Sequence, residues 1–334
     1  MNDALPPVIK WSGSKSAVAS SLAAMFPKGG RFFDPFVGGG SLLPFRTSRL
    51  ATAGDALTEL ISLWALIRDC PSEVAAEYAS RWARLQSRGH STYYEVRESF
   101  NESRSPHDLL FLSRTCVNGL IRFNSRGQFN NSFHHTRPGM NPATLDRIVH
   151  LWSKAVQGVD FVARDYRETL EGCRSGDFVF LDPPYENTKG RYQPGGIETL
   201  AFAETLRCLT AKGVRWMLTY DGSAGSRAYQ STLPRDVYRF KTTVATGLST
   251  FSKVMERERA QVTESVYLNF KPPRKTLSEF LEEGSNPTLV GESEYCGTNR
   301  IGAITEIEPH NCGGATPAEG LSKYRGVAAS HSRD

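Results

Sequence analysis

Long apolar runs, paired cysteines and a phosphate-gripping loop are all missing from this chain of 334 residues. Each absence narrows what the protein can be. No stretch approaches the roughly 20 consecutive apolar residues that a bilayer crossing needs. The segment AVASSLAAMF (17–26), which follows Lys15, lacks a convincing cleavage site and reads as a helix, so the expected location is the cytoplasm. The six cysteines (70, 116, 173, 208, 296 and 312) form no Cys-x-x-Cys pair. That argues against a zinc ribbon or a disulfide framework and for free thiols. The net charge of +5 is mild; it permits a nucleic-acid partner without requiring one. A hydrophobic fraction of 39% beside a charged fraction of 22% fits a soluble globular protein with a substantial core. No internal repeat is present.

The chain alternates between strand and helix signals. RFFDPFVGGGSLLPFRTSRLATAGD (31–55) reads as strand, glycine loop, helix and second strand, ending on Asp55. A helix is expected over about 58–69, with Leu60, Ile61, Leu63, Trp64 and Ile67 at helical spacing and a stop before Pro71. Another follows over about 72–87. Ser105-Pro106 and Asn141-Pro142 are helix starts with proline at the first helical position. Strands are expected in 159–166, 177–182, 214–221, 236–244 and 264–270. Such alternation argues for an α/β fold, a mostly parallel sheet with helices on both faces and ligands at the carboxyl ends of its strands. The interval from about 72 to 158 breaks the pattern and reads as an inserted, mainly helical subdomain. It would divide the catalytic domain into 1–71 and 159–272, leaving 273–334 as an extension. From about 285 onward, composition and lack of periodicity predict disorder.

Two clusters can carry chemistry. In DPFVGGGS (34–41), three glycines between strand and helix let the backbone turn tightly and approach a ligand that any Cβ would exclude. The segment lacks the Lys-Ser/Thr ending of a phosphate loop and the G-x-G-x-x-G spacing of a dinucleotide fold. With Asp55 placed to accept from ribose hydroxyls, it favours a nucleoside; a ligand-free turn and an ordinary helix cap are the alternative readings. In DPPY (182–185), Pro183 and Pro184 end the strand and stiffen the chain around Asp182 and Tyr185. A flat heterocycle stacked on Tyr185 could give both amino hydrogens to the Asp182 carboxylate and the Pro183 carbonyl. A plain strand stop is the alternative. The inserted region adds four arginines (114, 122, 126 and 137) between Phe111 and Met140, with no acid and with Phe123, Phe129 and Phe133 interleaved. That pattern suits phosphate and base contact, or else a solvated basic loop.

Taken in order, KWSGSK (10–15), DPFVGGGS (34–41), NGLIRFNSRGQFN (118–130) and DPPY (182–185) resemble the adenine-N6 DNA methyltransferases of the Dam type, over about residues 8–272. The resemblance implies a Rossmann-like methyltransferase fold with a seven-stranded sheet, and a DNA-recognition role for the insert. It implies S-adenosylmethionine as methyl donor, with Trp11, Lys15, Asp55 and Asp182 at cofactor-contacting positions and Gly38 and Gly40 beside them. Asp34 and Phe36 of the glycine segment and Asp165 at a strand end complete the expected cofactor set. Asp182, Pro183, Pro184 and Tyr185 are the expected catalytic residues. Asn118, Leu120 and Arg122 align with DNA-touching positions, joined by Arg114, Asn124, Arg126 and Arg137. Val117 stands where the family often carries a wedging aromatic.

The expected reaction is methylation of N6 on a flipped-out adenine in double-stranded DNA, acting alone or beside a restriction enzyme, with GATC the leading site. No metal and no membrane partner are expected, and a monomer is. Cytosine N4, an RNA base or a protein glutamine would change the acceptor, although glutamine-modifying relatives typically carry Asn at the position of Asp182. A catalytically silent DNA-binding protein is the remaining alternative.

Overall fold

The protein was described from a computed structural model covering residues 4–136, 139–184, 199–224, 227–229, 233–248, 261–273 and 308–309. Tyr185, Arg137 and the expected disordered stretch beyond about 285, save 308–309, lie outside the described residues.

Among the described residues nine strands form one sheet: β1 (Phe32–Asp34), β2 (Ala51–Asp55), β3 (Val159–Ala163), β4 (Phe178–Leu181), β5 (Arg215–Ala224), β6 (Arg227–Tyr229), β7 (Phe240–Leu248), β8 (Gln261–Leu268) and β9 (Glu308–Pro309). The order is β3-β2-β1-β4-β5-β8-β7-β9, with the short β6 hydrogen-bonded to β5. Without the short β6 and β9, the seven expected strands remain. The first five in that order are mutually parallel. β8 runs antiparallel to both β5 and β7. Chain order reverses between β1 and β4, and at such a switch point the flanking loops diverge and open a crevice at the strands' carboxyl ends.

Side-chain alternation fills both faces. Phe32, Phe178, Phe180 and Met217 belong to one buried cluster, whereas Phe33, Val179, Leu181, Trp216 and Leu218 belong to another. This two-sided burial is why DFVFLD reads as an unbroken apolar run. The second face is covered by α7 (Tyr166–Glu171) and α8 (Thr199–Ala211), through Leu170, Phe202, Leu206 and Leu209. The first face receives α1 (Ala19–Ala24) and α2 (Thr58–Asp69). Outside α2 lie α3 (Pro71–Arg88), α4 (Ser91–Ser103), α5 (Pro106–Thr115) and α6 (Pro142–Ala155). Their core residues, among them Tyr78, Phe100, Phe111 and Trp152, are continuous with the sheet's cluster. Trp64 on α2 is the pivot: its ring stacks on Phe161 of β3 at 5.8 Å and meets Trp152 of α6 at 5.1 Å.

Two expectations change. No α-helix follows the glycine loop; a single 3-10 turn, Leu43–Phe45, occupies that place. Gly38 and Gly40 have left-handed φ of +43° and +67°, and Pro44 has no N–H to continue a helical ladder. α4 has little helical signal in the sequence because it buries only Thr92, Tyr93, Val96 and Phe100, a sparse apolar face among polar residues. The proline starts hold, and Asn141 Oδ1 caps α6 by accepting from the amides of Ala143 (3.0 Å) and Thr144 (3.4 Å).

Candidate active site

The turn after β1 is shaped by its glycines. Gly40 N donates to the Val37 carbonyl at 2.7 Å, and Val37 N donates to Gly54 at the end of β2 at 2.9 Å. A Cβ on Gly38 would come within 2.7 Å of the Trp11 indole nitrogen, and one on Gly40 within 2.7 Å of the Trp64 ring. Both contacts are closer than carbon atoms tolerate, so the bare backbone is needed for the indoles to lie against it. Trp64 also donates its indole N–H to the Gly38 carbonyl at 2.9 Å. The cradle is therefore walled by Trp11 on one side and fixed by Trp64 on the other.

Three carboxylates converge on the strand ends around this turn. Asp55 accepts from Leu57 N at 3.0 Å and from Gly38 N at 3.3 Å. Burial nevertheless raises its pKa to about 6, against the lowering effect of those amides. Asp34 accepts from Phe36 N at 3.3 Å. Burial first, and then the charge of Asp182, push Asp34 well above the ordinary carboxylate range. Phe36 stacks on Tyr166 at 5.3 Å, closing the far side. Asp182 follows β4, with Pro183 buried behind it and Pro184 exposed. Its Oδ1 lies 2.8 Å from Lys15 Nζ, whose side chain is only 5% exposed, and 2.8 Å from the Thr219 hydroxyl. Lys15 is also 3.4 Å from Glu264 of β8. Asp182 and Glu264 flank the one Lys15 ammonium, so the crevice is suited to a ligand that carries positive charge. Among the described residues no group of three or more His, Cys, Asp or Glu could hold a metal ion.

Not every expected site residue joins this constellation. Asp165 caps α7, accepting from Arg167 N and pairing with Arg167 Nε, both at 3.0 Å, and it is exposed. The Arg114 guanidinium donates to the carbonyls of Val8 (2.9 Å, through Nε) and Pro7, which holds the N-terminal segment against α5. Asn124 Oδ1 accepts from the amides of Arg126 (3.0 Å) and Gln128 (2.9 Å), so it builds a turn. Thr219, Glu264 and Trp64, which contact Asp182, Lys15 and Gly38 respectively, are not marked by the sequence as members of this region. Their sequence signals are slight: a hydroxyl inside the apolar WMLTYD, an acid in a strand, and a tryptophan indistinguishable from core.

Residues 116–133 form a hairpin-like loop, bridged at Cys116–Phe133 and Phe123–Phe129. Asn131, buried at its base, donates to the carbonyls of Val117 and Leu120, each at 2.9 Å. Between those carbonyls the chain reverses through two left-handed residues, Asn118 (φ 57°) and Gly119 (φ 63°). Asparagine is among the few side chains that adopt this conformation readily. Gly119 has no room for a Cβ because the Lys10 stem lies against it, which brings the KWSGSK segment beside this turn. Asn118, Arg122 and Arg126 are exposed along the loop and Leu120 is half-buried. Arg122 Nε donates to Asn130 Oδ1 at 3.0 Å. Arg104 straps the loop to α2, reaching the Gly127 carbonyl at one end and Glu59 at the other while lying over Phe100 and Phe123.

A family model described as D12 class N6 adenine-specific DNA methyltransferase matches residues 11–243, which contain the glycine cradle, the loop and Asp182. A retron Ec67 DNA adenine methylase from Escherichia coli is 29% identical over 201 residues, covering 57% of this chain and 67% of that protein. A DNA adenine methylase from Serratia marcescens is 28% identical over 181 residues, covering 53% and 66%. The chain thus spans about two thirds of the length of each of these relatives. A type II methyltransferase from Lactococcus lactis subsp. cremoris is 24% identical over 286 residues, covering 80% of this chain and 96% of that one. The chain belongs to the D12 class of N6 adenine-specific DNA methyltransferases.

Proposed function

We propose that the protein transfers the methyl group of S-adenosylmethionine to N6 of an adenine swung out of duplex DNA. The observation that carries this reading is the grouping, at the carboxyl ends of β1, β2 and β4, of Asp55, which accepts from Gly38 of the cradle, and Asp182, whose charge reaches Asp34.

The chemistry of the donor set fits the cofactor. Trp11, seated against the Gly38–Gly40 turn, gives a nucleoside a flat wall, and Asp55 accepts from ribose hydroxyls. The Asp182 and Glu264 carboxylates, which outnumber the Lys15 ammonium between them, favour a sulfonium and an α-ammonium group. Bound S-adenosylmethionine supplies an electrophilic methyl whose bonding electrons return to sulfur when the bond to N6 forms.

The chain's own residues make N6 competent and place it. In adenine the amino lone pair is delocalised into the ring, so the nitrogen is a weak nucleophile. The Asp182 carboxylate and the Pro183 carbonyl accept its two hydrogens and draw the lone pair toward the methyl. Tyr185 gives the ring a face to stack on, and the stiff Asp-Pro-Pro backbone limits motion between acid and base. Holding nitrogen and methyl near contact contributes several kcal/mol toward the barrier. The proton lost from N6 passes to solvent.

On the DNA side, Asn118 and Leu120 meet the site while Arg122 reads a guanine edge bidentately and Arg126 and Arg137 contact phosphates. GATC is the first site to test. The deciding experiment incubates the protein with unmethylated genomic DNA and labelled cofactor, digests to nucleosides and maps the modified positions. N6-methyladenine at one recurring motif, abolished by Asp182→Ala, is the expected result; N4-methylcytosine, label on RNA, or turnover surviving Asp182→Ala would overturn it.

A further inference from the structure

Among the described residues, the Asp182 carboxylate has two partners, and both fall on the same oxygen. Thr219, on β5 beside β4 and fully buried, has one hydroxyl proton. Asp182 Oδ1 lies 2.8 Å away and the Leu181 carbonyl 3.4 Å, so distance and charge both direct that proton to the carboxylate. Lys15 Nζ meets the same Oδ1 at 2.8 Å. The lysine is itself bracketed by the Gly13 carbonyl at 3.1 Å and Glu264 Oε2 at 3.4 Å. A carboxylate at a strand end would otherwise swing about its own torsions and present either oxygen. Here β5 holds Oδ1 directly, and β8 holds it through the lysine.

We propose that Thr219 is a positioning residue for methyl transfer: with Lys15, which Glu264 brackets from β8, it occupies Asp182 Oδ1, so that Oδ2 is the oxygen offered to the acceptor's amino group. This rests on the reading of Asp182 as the amino-group acceptor given above. Thr219 touches neither substrate nor methyl donor in this scheme. It acts through the orientation of a group that must lie within a fraction of an ångström of its working position.

The test compares wild type with Thr219→Val, which keeps the branched shape and removes the hydroxyl, and with Thr219→Ser, which keeps the hydroxyl. Single-turnover methylation is measured at saturating DNA and cofactor, with cofactor and DNA Kd measured separately. The valine variant is expected to slow the chemical step about 10- to 100-fold, with both Kd values within about twofold of wild type, and the serine variant to recover most of the rate. If the valine variant does not fold, Thr219→Ala with the same serine control reads the same step. An unchanged rate without the hydroxyl overturns the proposal. A rate loss that tracks weaker binding and lower Tm, without serine rescue, assigns Thr219 to packing and also overturns it. Wild-type protein that makes no N6-methyladenine refutes the underlying reading instead, and the proposal falls with it.

Discussion

Trp64 donates its indole N–H to the carbonyl of Gly38, 26 positions away in sequence, at 2.9 Å inside the protein. The bond joins α2 to the cradle, and the same ring fills the space that a side chain on Gly40 would need. Trp64→Phe keeps most of the apolar volume but leaves a buried carbonyl without its donor, at a cost of about 1–3 kcal/mol. A lower Tm and roughly tenfold weaker S-adenosylmethionine binding are expected in calorimetry; unchanged affinity would separate Trp64 from the cradle.

Glycine at position 40 is required for two reasons that can be told apart. Its φ is +67°, and an added Cβ would lie 2.7 Å from the Trp64 ring. Gly89, with φ +71°, has nothing within 4 Å. Gly89→Ala should therefore incur only the backbone penalty of its φ +71°, ψ −159° conformation, about 1–3 kcal/mol. Gly40→Ala should add about 1–3 kcal/mol of overpacking. Chemical denaturation of the two variants side by side measures the difference, and equal losses would mean that the indole yields.

Asp55 makes stability and cofactor affinity depend on pH in opposite directions. Burial holds its pKa at about 6 in the folded protein, above the ordinary carboxyl value of about 4 in the unfolded chain. The folded state therefore binds more protons between those values, and this group's penalty, present in full above about pH 6, is relieved as pH falls toward 4. Ribose hydroxyls need the ionised form, so affinity should weaken below about pH 6, at most about tenfold per unit. Titrating cofactor Kd and Tm over pH 5–8, with Asp55→Asn as control, checks both slopes; the variant should flatten them.

The arginines of the inserted region should separate into two kinds. Arg122 and Arg126 are exposed on the loop, and replacing either with Ala should weaken DNA binding and reduce the salt slope by about one phosphate equivalent where the lost contact is to phosphate. Arg114→Ala should instead lower Tm, because its guanidinium serves the carbonyls of Pro7 and Val8. Binding isotherms at several salt concentrations, set beside thermal melts, sort the three. A salt-slope change in folded Arg114→Ala protein would return that residue to the DNA.

Much of the architecture is written locally. Short unbroken apolar runs in 177–182 and 214–221, proline at the start of α5 and α6, the glycine run and the Asp-Pro-Pro stop each act over a few residues, where steric rules and local burial suffice. They yield the parallel sheet, most helices, and the placing of Asp182 and the cradle at strand ends. What a side chain does there depends on partners that the sequence does not mark. Arg114 and Arg122 are the same residue type in the same basic stretch, yet one is engaged by an N-terminal strap and the other is exposed. Asp165 and Asp182 both follow the carboxyl end of a strand, yet one caps a helix while the other meets Lys15 and Thr219. That last cluster gathers positions 15, 182, 219 and 264 because β1 and β4 pair at the reversal of strand order and β8 enters antiparallel beside β5. Strand pairing across such separations is decided by burial of the whole sheet, so it is a property of the tertiary structure and not of any short segment.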